Sequence, residues 1–156
     1  MTPESFAVVE RVRGGGTTDF GAPGEAATLE HDAPTPAEAR RLAAIVEAAW
    51  AMLDAIVASA PQSLRKGPRG GGRDRDPIVT HALNAEREYA RRIGVRLPAP
   101  GLGDHAAIES FRAAVLAAIR AGDRHAGVAW PVRYAVRRIV WHVLDHAWEI
   151  EDRSEA

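Results

Sequence analysis

From residue 35 onward, apolar residues recur three and four apart in four separate runs, each bounded by residues that start or stop helices. The first run opens at Thr35-Pro36-Ala37-Glu38. Thr at the cap, Pro at the first helical position and Glu three residues past the cap satisfy the free amides of a helix start reciprocally. Leu42, Ile45, Val46, Ala49, Leu53, Ile56 and Val57 then make one stripe, and Pro61 ends the helix. A second start at Asp76-Pro77 leads a helix to Gly94, whose inner face is expected to carry Ile78, His81, Ala82, Ala85, Tyr89 and Ile93. A third helix runs from near Asp104, presents Ile108, Phe111, Val115 and Ile119, and stops at Gly122. The fourth runs from Pro131 to about Glu151, with Val132, Val136, Ile139, Val143, Ala147 and Ile150 on one face and Arg133, Arg137, Arg138, Asp145 and Glu149 elsewhere. Four amphipathic helices joined by short connections predict an all-α chain folded as a four-helix bundle.

Two segments break this rhythm. Residues 1–34 hold a short β-prone run at 6–12, a triple glycine at 14–16 and then mostly small and polar residues, so they read as an arm, irregular or with a short β element, outside a bundle of residues 35–153. Residues 61–76, PQSLRKGPRGGGRDRD, form a Gly- and Arg-rich loop before the second helix.

The chain has 156 residues, the size of one domain with one core. Its 20 basic and 21 acidic residues nearly cancel, so no field steers nucleic acid or an anionic membrane to it, and neither is expected as a partner. Without cysteine there are no disulfides, thiolate metal sites or thiol nucleophile, and any metal must rest on histidine and carboxylate. No stretch approaches the roughly 20 apolar residues of a membrane span and no export leader is evident, so a cytoplasmic protein is expected. Arginine supplies all but one of the basic residues, a bias of GC-rich coding that suits an actinobacterial host.

The sharpest chemical feature is Trp141-His142-Val143-Leu144-Asp145-His146. Histidines four apart differ by only about 40° around a helix, so both imidazoles leave one face, and that face points partly inward. The pair alone fits a metal site and a purely structural role about equally well. Val143 stands where a zincin needs its Glu base, which excludes that protease chemistry. His81, on the apolar side of the second helix, could complete a three-histidine site or be an ordinary core histidine.

The segment Asp76-Pro77-Ile78-Val79-Thr80-His81 with Glu86 and Tyr89 resembles the second helix of the DinB/YfiT-like superfamily. The segment from Arg137 to His146 resembles its metal-binding fourth helix. The resemblance covers roughly residues 35–153 and implies an up-down-down-up bundle, usually dimeric. It also implies one divalent ion, zinc, nickel, iron or manganese, on His81, His142 and His146. Members of that superfamily include mycothiol-dependent isomerases, thiol S-transferases and amide hydrolases. The function implied is therefore a metal-dependent enzyme acting on a small molecule, with a low-molecular-weight thiol such as mycothiol as candidate cosubstrate. A metal-dependent hydrolase is the alternative, and a non-catalytic dimeric interaction module the rival from another class.

Three further expectations attach to this site. Glu149, seven residues past His142, is a candidate acid/base, extra ligand or orienting group, or else a surface partner of Arg153. Arg69 and Arg73 in the glycine loop are candidate anion-binding residues for a cofactor or substrate, against the plainer reading of a solvated connector. Trp130, Trp141 and Trp148 near one helix exceed what one stripe can bury, which predicts a homodimer.

Overall fold

The computed structural model describes residues 7–22, 24–67, 70–122 and 128–154. Among them the chain is all-helical. Four helices, α1 (Pro36–Ser59), α2 (Arg75–Arg92), α3 (His105–Ala121) and α4 (Val132–Ser154), follow two 3-10 turns at Thr18–Phe20 and Thr28–His31. No strand occurs among the described residues, and 7–12 carry no regular structure. A β-prone run needs a partner strand to pair its backbone, and here Val8 and Val9 stay exposed.

The first helix starts as its residues dictate. Thr35 N–H donates to Glu38 Oε2 at 2.9 Å, and Glu38 N–H donates to Thr35 Oγ1 at 3.3 Å. Its buried face is Ala39, Ala43, Val46, Ala49, Trp50 and Leu53, so it is rotated from the expected stripe: Trp50 is enclosed while Ile45 is exposed. The helix is apolar on several sides, and periodicity alone could not choose among them. That same character makes α1 long and apolar enough, with a mean hydropathy of 1.7 over its best window, to match a membrane span by length and composition. The expectation that no stretch approaches this is corrected here. In the fold, α1 packs against both α3 and α4.

The start of α2 also differs from expectation. The helix begins at Arg75 after Asp74, two residues before the Asp76-Pro77 start. Asp74 does not cap it, because its carboxylate turns back to the Leu64 amide (3.2 Å) and to Lys66. Asp76 sits in the first turn and takes the Arg75 Nε at 2.9 Å. In α3, Asp104 does cap, accepting from the Ala107 amide at 3.0 Å, and Gly122 with φ 70° ends the helix.

The core draws on all four helices: Val46, Ile78, Val115, Ile119, Ile139 and Val143 are wholly enclosed. Burying each such side chain contributes about 1.5–3 kcal/mol. Polar contacts tie the helix ends. Glu38 near the start of α1 pairs with Arg133 near the start of α4 at 3.1 Å. Asp54 late in α1 takes Arg112 at the middle of α3 in a bidentate pair at 2.6 and 2.8 Å. Arg73, just before α2, pairs with Glu149 late in α4 at 3.0 Å, and the Ala129 amide donates to Arg92 O, at the end of α2, at 2.8 Å.

Both ends of α4 are held from outside the bundle. At its start, Tyr134 Oη donates to Gly24 O (3.0 Å), Arg133 Nε to Asp32 O (3.0 Å) and Arg137 Nε to Glu30 Oε1 (2.6 Å), which straps the arm over the helix. At its end, Arg153 donates from Nε to Arg65 O (2.9 Å) and from Nη2 to Arg73 O (2.6 Å), stitching the glycine loop to the helix. Gly72, with φ 118°, lets the guanidinium lie against the backbone; a Cβ there would overlap it.

Candidate metal centre

Two helices supply the histidines. On α4 the four-residue spacing sets His142 and His146 one turn apart on the side facing α2, with ring centroids 4.4 Å apart. Their Nε2 atoms lie 3.2 Å from each other. From α2, His81 brings its ring to 5.3 Å from His142 and 5.0 Å from His146. One nitrogen from each ring lies within 4.8 Å of the others, and together they could hold a metal ion. Nitrogens bound to one ion at about 2.1 Å are separated by about 3.0–3.4 Å, a spacing the α4 pair already has.

The site is enclosed on the α4 side and open on the α2 side. His142 and His146 are 7% and 5% exposed, whereas His81 is exposed. The expected inner face of α2 is thus turned by one position: Ile78, Val79, Ala82, Leu83, Glu86 and Ala90 are buried, and His81, Ala85 and Tyr89 run along the edge next to α4. His81 stands at the rim of the site, not inside the core.

Burial pushes the His142 imidazole down to about 3, helped by the neighbouring histidines and by the charges of Arg138 and Arg73. It is therefore neutral at ordinary pH, the form that can ligate. His81 is lowered as well, first by partial burial and then by His146 and Arg73. The Nδ1 of His142 is buried with no hydrogen-bond partner among the described residues. The polar contact this ring makes is therefore the Nε2 facing His146. Three converging imidazoles fit a divalent ion of the zinc, nickel or iron type, which favours nitrogen donors.

Glu149 is turned to the outer edge of this cluster. Its Oε2 accepts from His146 Nδ1 and from Arg73 Nη2, both at 3.0 Å, and its Oε1 from Arg153 Nη1 at 2.9 Å. Burial alone would raise the carboxyl, but the His146 hydrogen bond and the Arg73 charge outweigh it and hold it below its ordinary value. Glu149 is thus both the partner of Arg153 and a group that orients His146, fixing a proton on Nδ1 and leaving Nε2 to point at the other rings.

The glycine loop meets the site through Arg73 alone among its described residues. Arg69 lies outside them. The amides of Gly67 and Gly70 are spent inside the loop, on Gly71 O and Gly67 O at 2.8 Å each, so they form no anion cradle.

Two features were missed in the sequence. Tyr89 touches His142 edge-on at 5.6 Å and accepts from Arg138 Nη2 at 3.1 Å; Arg138 lies over the rings of Tyr89 and Trp141 at 5.2 and 5.4 Å. The signal was spacing: Arg138 is four residues before His142, and Tyr89 eight after His81. The second is Glu86, 3% exposed, which accepts from the Trp50 indole and is pushed up by burial to about 7. A lone carboxylate in a polar helix gives no warning of this. Compared with protein-family models, curated proteins and solved structures, the chain finds no match.

Proposed function

We propose that this chain is a divalent-metal-dependent enzyme resembling the DinB/YfiT-like superfamily, which activates a low-molecular-weight thiol, mycothiol being the first candidate, for transfer to or isomerisation of a small molecule. The observation that carries this reading is the convergence of His81, His142 and His146 within 4.8 Å, with one side open to solvent. A divalent ion at such a site supplies a Lewis acid that lowers the pKa of a bound thiol or water toward neutrality.

The chain's own residues do the rest. His142 stays neutral and aims Nε2 inward, while His146 is held in one tautomer by Glu149. Arg73 and Arg153 hold Glu149 in turn. The exposed side at His81 is where substrate enters. Water would be activated by the same arrangement, so a metal-dependent hydrolase is the alternative reading. The pairings of helix ends support an up-down-down-up course: the starts of α1 and α4 are neighbours, and α2 and α3 each run against their partner. A homodimer belongs to the proposal too, supported by Trp148, which is 54% exposed, and so does residence in the cytoplasm.

The test is elemental analysis of protein purified without a metal-binding tag, followed by a screen of thiols with small electrophiles before and after chelation. The expected result is about one ion per chain and thiol consumption that stops when it is removed. Protein that binds no ion would sink the proposal. An ion whose removal lowers only the melting temperature would favour the interaction module.

A further inference from the structure

A hollow of about 490 Å³ lies where the end of α1, the start of α2 and the first half of α3 come together. Neither α4 nor His81 contributes to its lining, so it is separate from the three histidines. Small-molecule sites commonly have this volume. Its walls are apolar: Val57 and Ala58 from α1, Leu102 from the turn before α3, and Ile108 from α3. Leu102 is 46% exposed and Val57 and Ile108 are half-buried. A ligand body laid on them removes apolar surface from water.

The carboxylates and guanidiniums around these walls are paired, with one exception. Asp54 holds both Nη atoms of Arg112, at 2.6 and 2.8 Å. Arg75 gives Nε to Asp76 at 2.9 Å and Nη1 to Ala60 O at 2.8 Å. Glu109, one turn before Arg112 on α3, is exposed, and its carboxylate has no hydrogen bond or ion pair among the described residues. His105 completes the polar lining. Three carboxylates therefore stand against two guanidiniums, and the unbalanced charge is that of Glu109. An anion could enter only by parting a guanidinium from a carboxylate it already holds, which costs a charge-assisted contact. A cation needs no such exchange.

We infer that this hollow binds an organic amine, whose ammonium group pairs with Glu109 while an apolar body the size of an aromatic ring lies on Val57, Leu102 and Ile108. The Asp54 carboxylate cancels the charge of Arg112 beside the ammonium. The site is independent of the histidine cluster and stands whether or not the histidines hold an ion.

The probes are 2-phenylethylamine, the neutral 2-phenylethanol and the anionic 3-phenylpropanoate, titrated by calorimetry into the full chain at neutral pH before and after chelation. The amine is expected to bind about tenfold more tightly than the alcohol, the worth of one charge-assisted hydrogen bond. The propanoate is expected to bind most weakly, and chelation to change nothing. Glu109→Gln, at an exposed position, is expected to bring the amine down to the affinity of the alcohol and to leave the alcohol unchanged. Leu102→Ser is expected to weaken amine and alcohol alike, because it removes part of the apolar wall. Amide resonances of residues 102–109 are expected to shift with the amine, and those of 142–146 to stay in place. No binding of any probe overturns the inference, as does equal affinity of amine and alcohol in the parent or a preference that survives in Glu109→Gln. Amine binding that disappears on chelation overturns it too, because it puts the ligand at the histidines.

Discussion

Glu149 lies one turn beyond His146 on the same helix and accepts its Nδ1 hydrogen at 3.0 Å. This single contact sets which nitrogen of His146 faces the other two rings, and it joins a candidate ligand on α4 to Arg73 before α2. Orienting partners of this kind typically change metal affinity 10–100-fold. Glu149→Ala is expected to weaken zinc or nickel binding by about that factor while leaving the fold intact, measured by competition with a chromophoric chelator. Unchanged affinity would show that His146 needs no orienting group.

Replacing His142 or His146 with Ala is expected to remove most bound metal, with the helical circular-dichroism signal unchanged, because Ala favours helix and the enclosed Ile139, Val143 and Ile150 stay in place. His81→Ala, changed at the exposed rim, is expected to lower affinity as well but with the smallest effect on stability of the three. A variant at His142 or His146 with parental metal content would remove that residue from the site.

Gly72→Ala tests the stitching of the glycine loop. The residue sits at φ 118°, and a Cβ would meet the Arg153 guanidinium. We expect a loss of about 1–3 kcal/mol from backbone strain, read from urea unfolding. Metal affinity should fall as well, because Arg153 is displaced from Glu149. Gly15→Ala, which meets nothing within 4 Å, serves as the control.

Glu86 gives the protein a pH dependence with a definite sign. Its carboxyl is raised to about 7 by burial, opposed only in part by Trp50 and Arg112, against an ordinary value of 4.5. The folded state therefore holds a proton that the unfolded chain releases. The associated stability is fully present below about pH 4.5 and is lost as the pH rises through 7, on the order of 3 kcal/mol in all. Glu86→Gln keeps an acceptor for Trp50 and cannot ionise. It is expected to exceed the parent in stability at pH 8 and to match it at pH 5, by urea midpoint. A parent and variant that change in parallel with pH would disprove this.

Sedimentation at tens of micromolar is expected to give a dimer, and Trp148→Glu, at an exposed position, to give a folded monomer. A monomeric parent would return the exposed tryptophan to solvent.

The sequence made α4 and the ends of α1 and α3 legible because each carried redundant signals: a Thr-Pro-x-Glu cap, an Asp cap, a terminal glycine, and in α4 a continuous stripe of Val and Ile. The His142–His146 pair was readable for a related reason, since its four-residue spacing has a fixed meaning on a helix, whereas His81 joined it only through the family resemblance. Three features were not. Asp74 and Asp76 are chemically equal caps, and only the distant Leu64 amide and Lys66 decide between them. Ile45 and Trp50 are both apolar, and only the partners of α1 choose which is buried. Glu86 and Arg138 depend on rings supplied by other segments, Trp50, Tyr89 and Trp141, which no local pattern announces.

The clamping of α4 at both ends bears on how metal uptake would feel to the protein. Its first turns are strapped by the arm through Arg133, Tyr134 and Arg137, and its last by the loop through Arg153. The turn bearing His142 and His146 lies between these anchors, beyond the reach of fraying. The two α4 donors are thus preorganised before any ion arrives. Small zinc modules unfold on demetallation because ion binding is their folding energy. Here the cation would meet two donors already in place on a helix that is folded without it, so chelation and reloading should cycle without passing through a disordered chain.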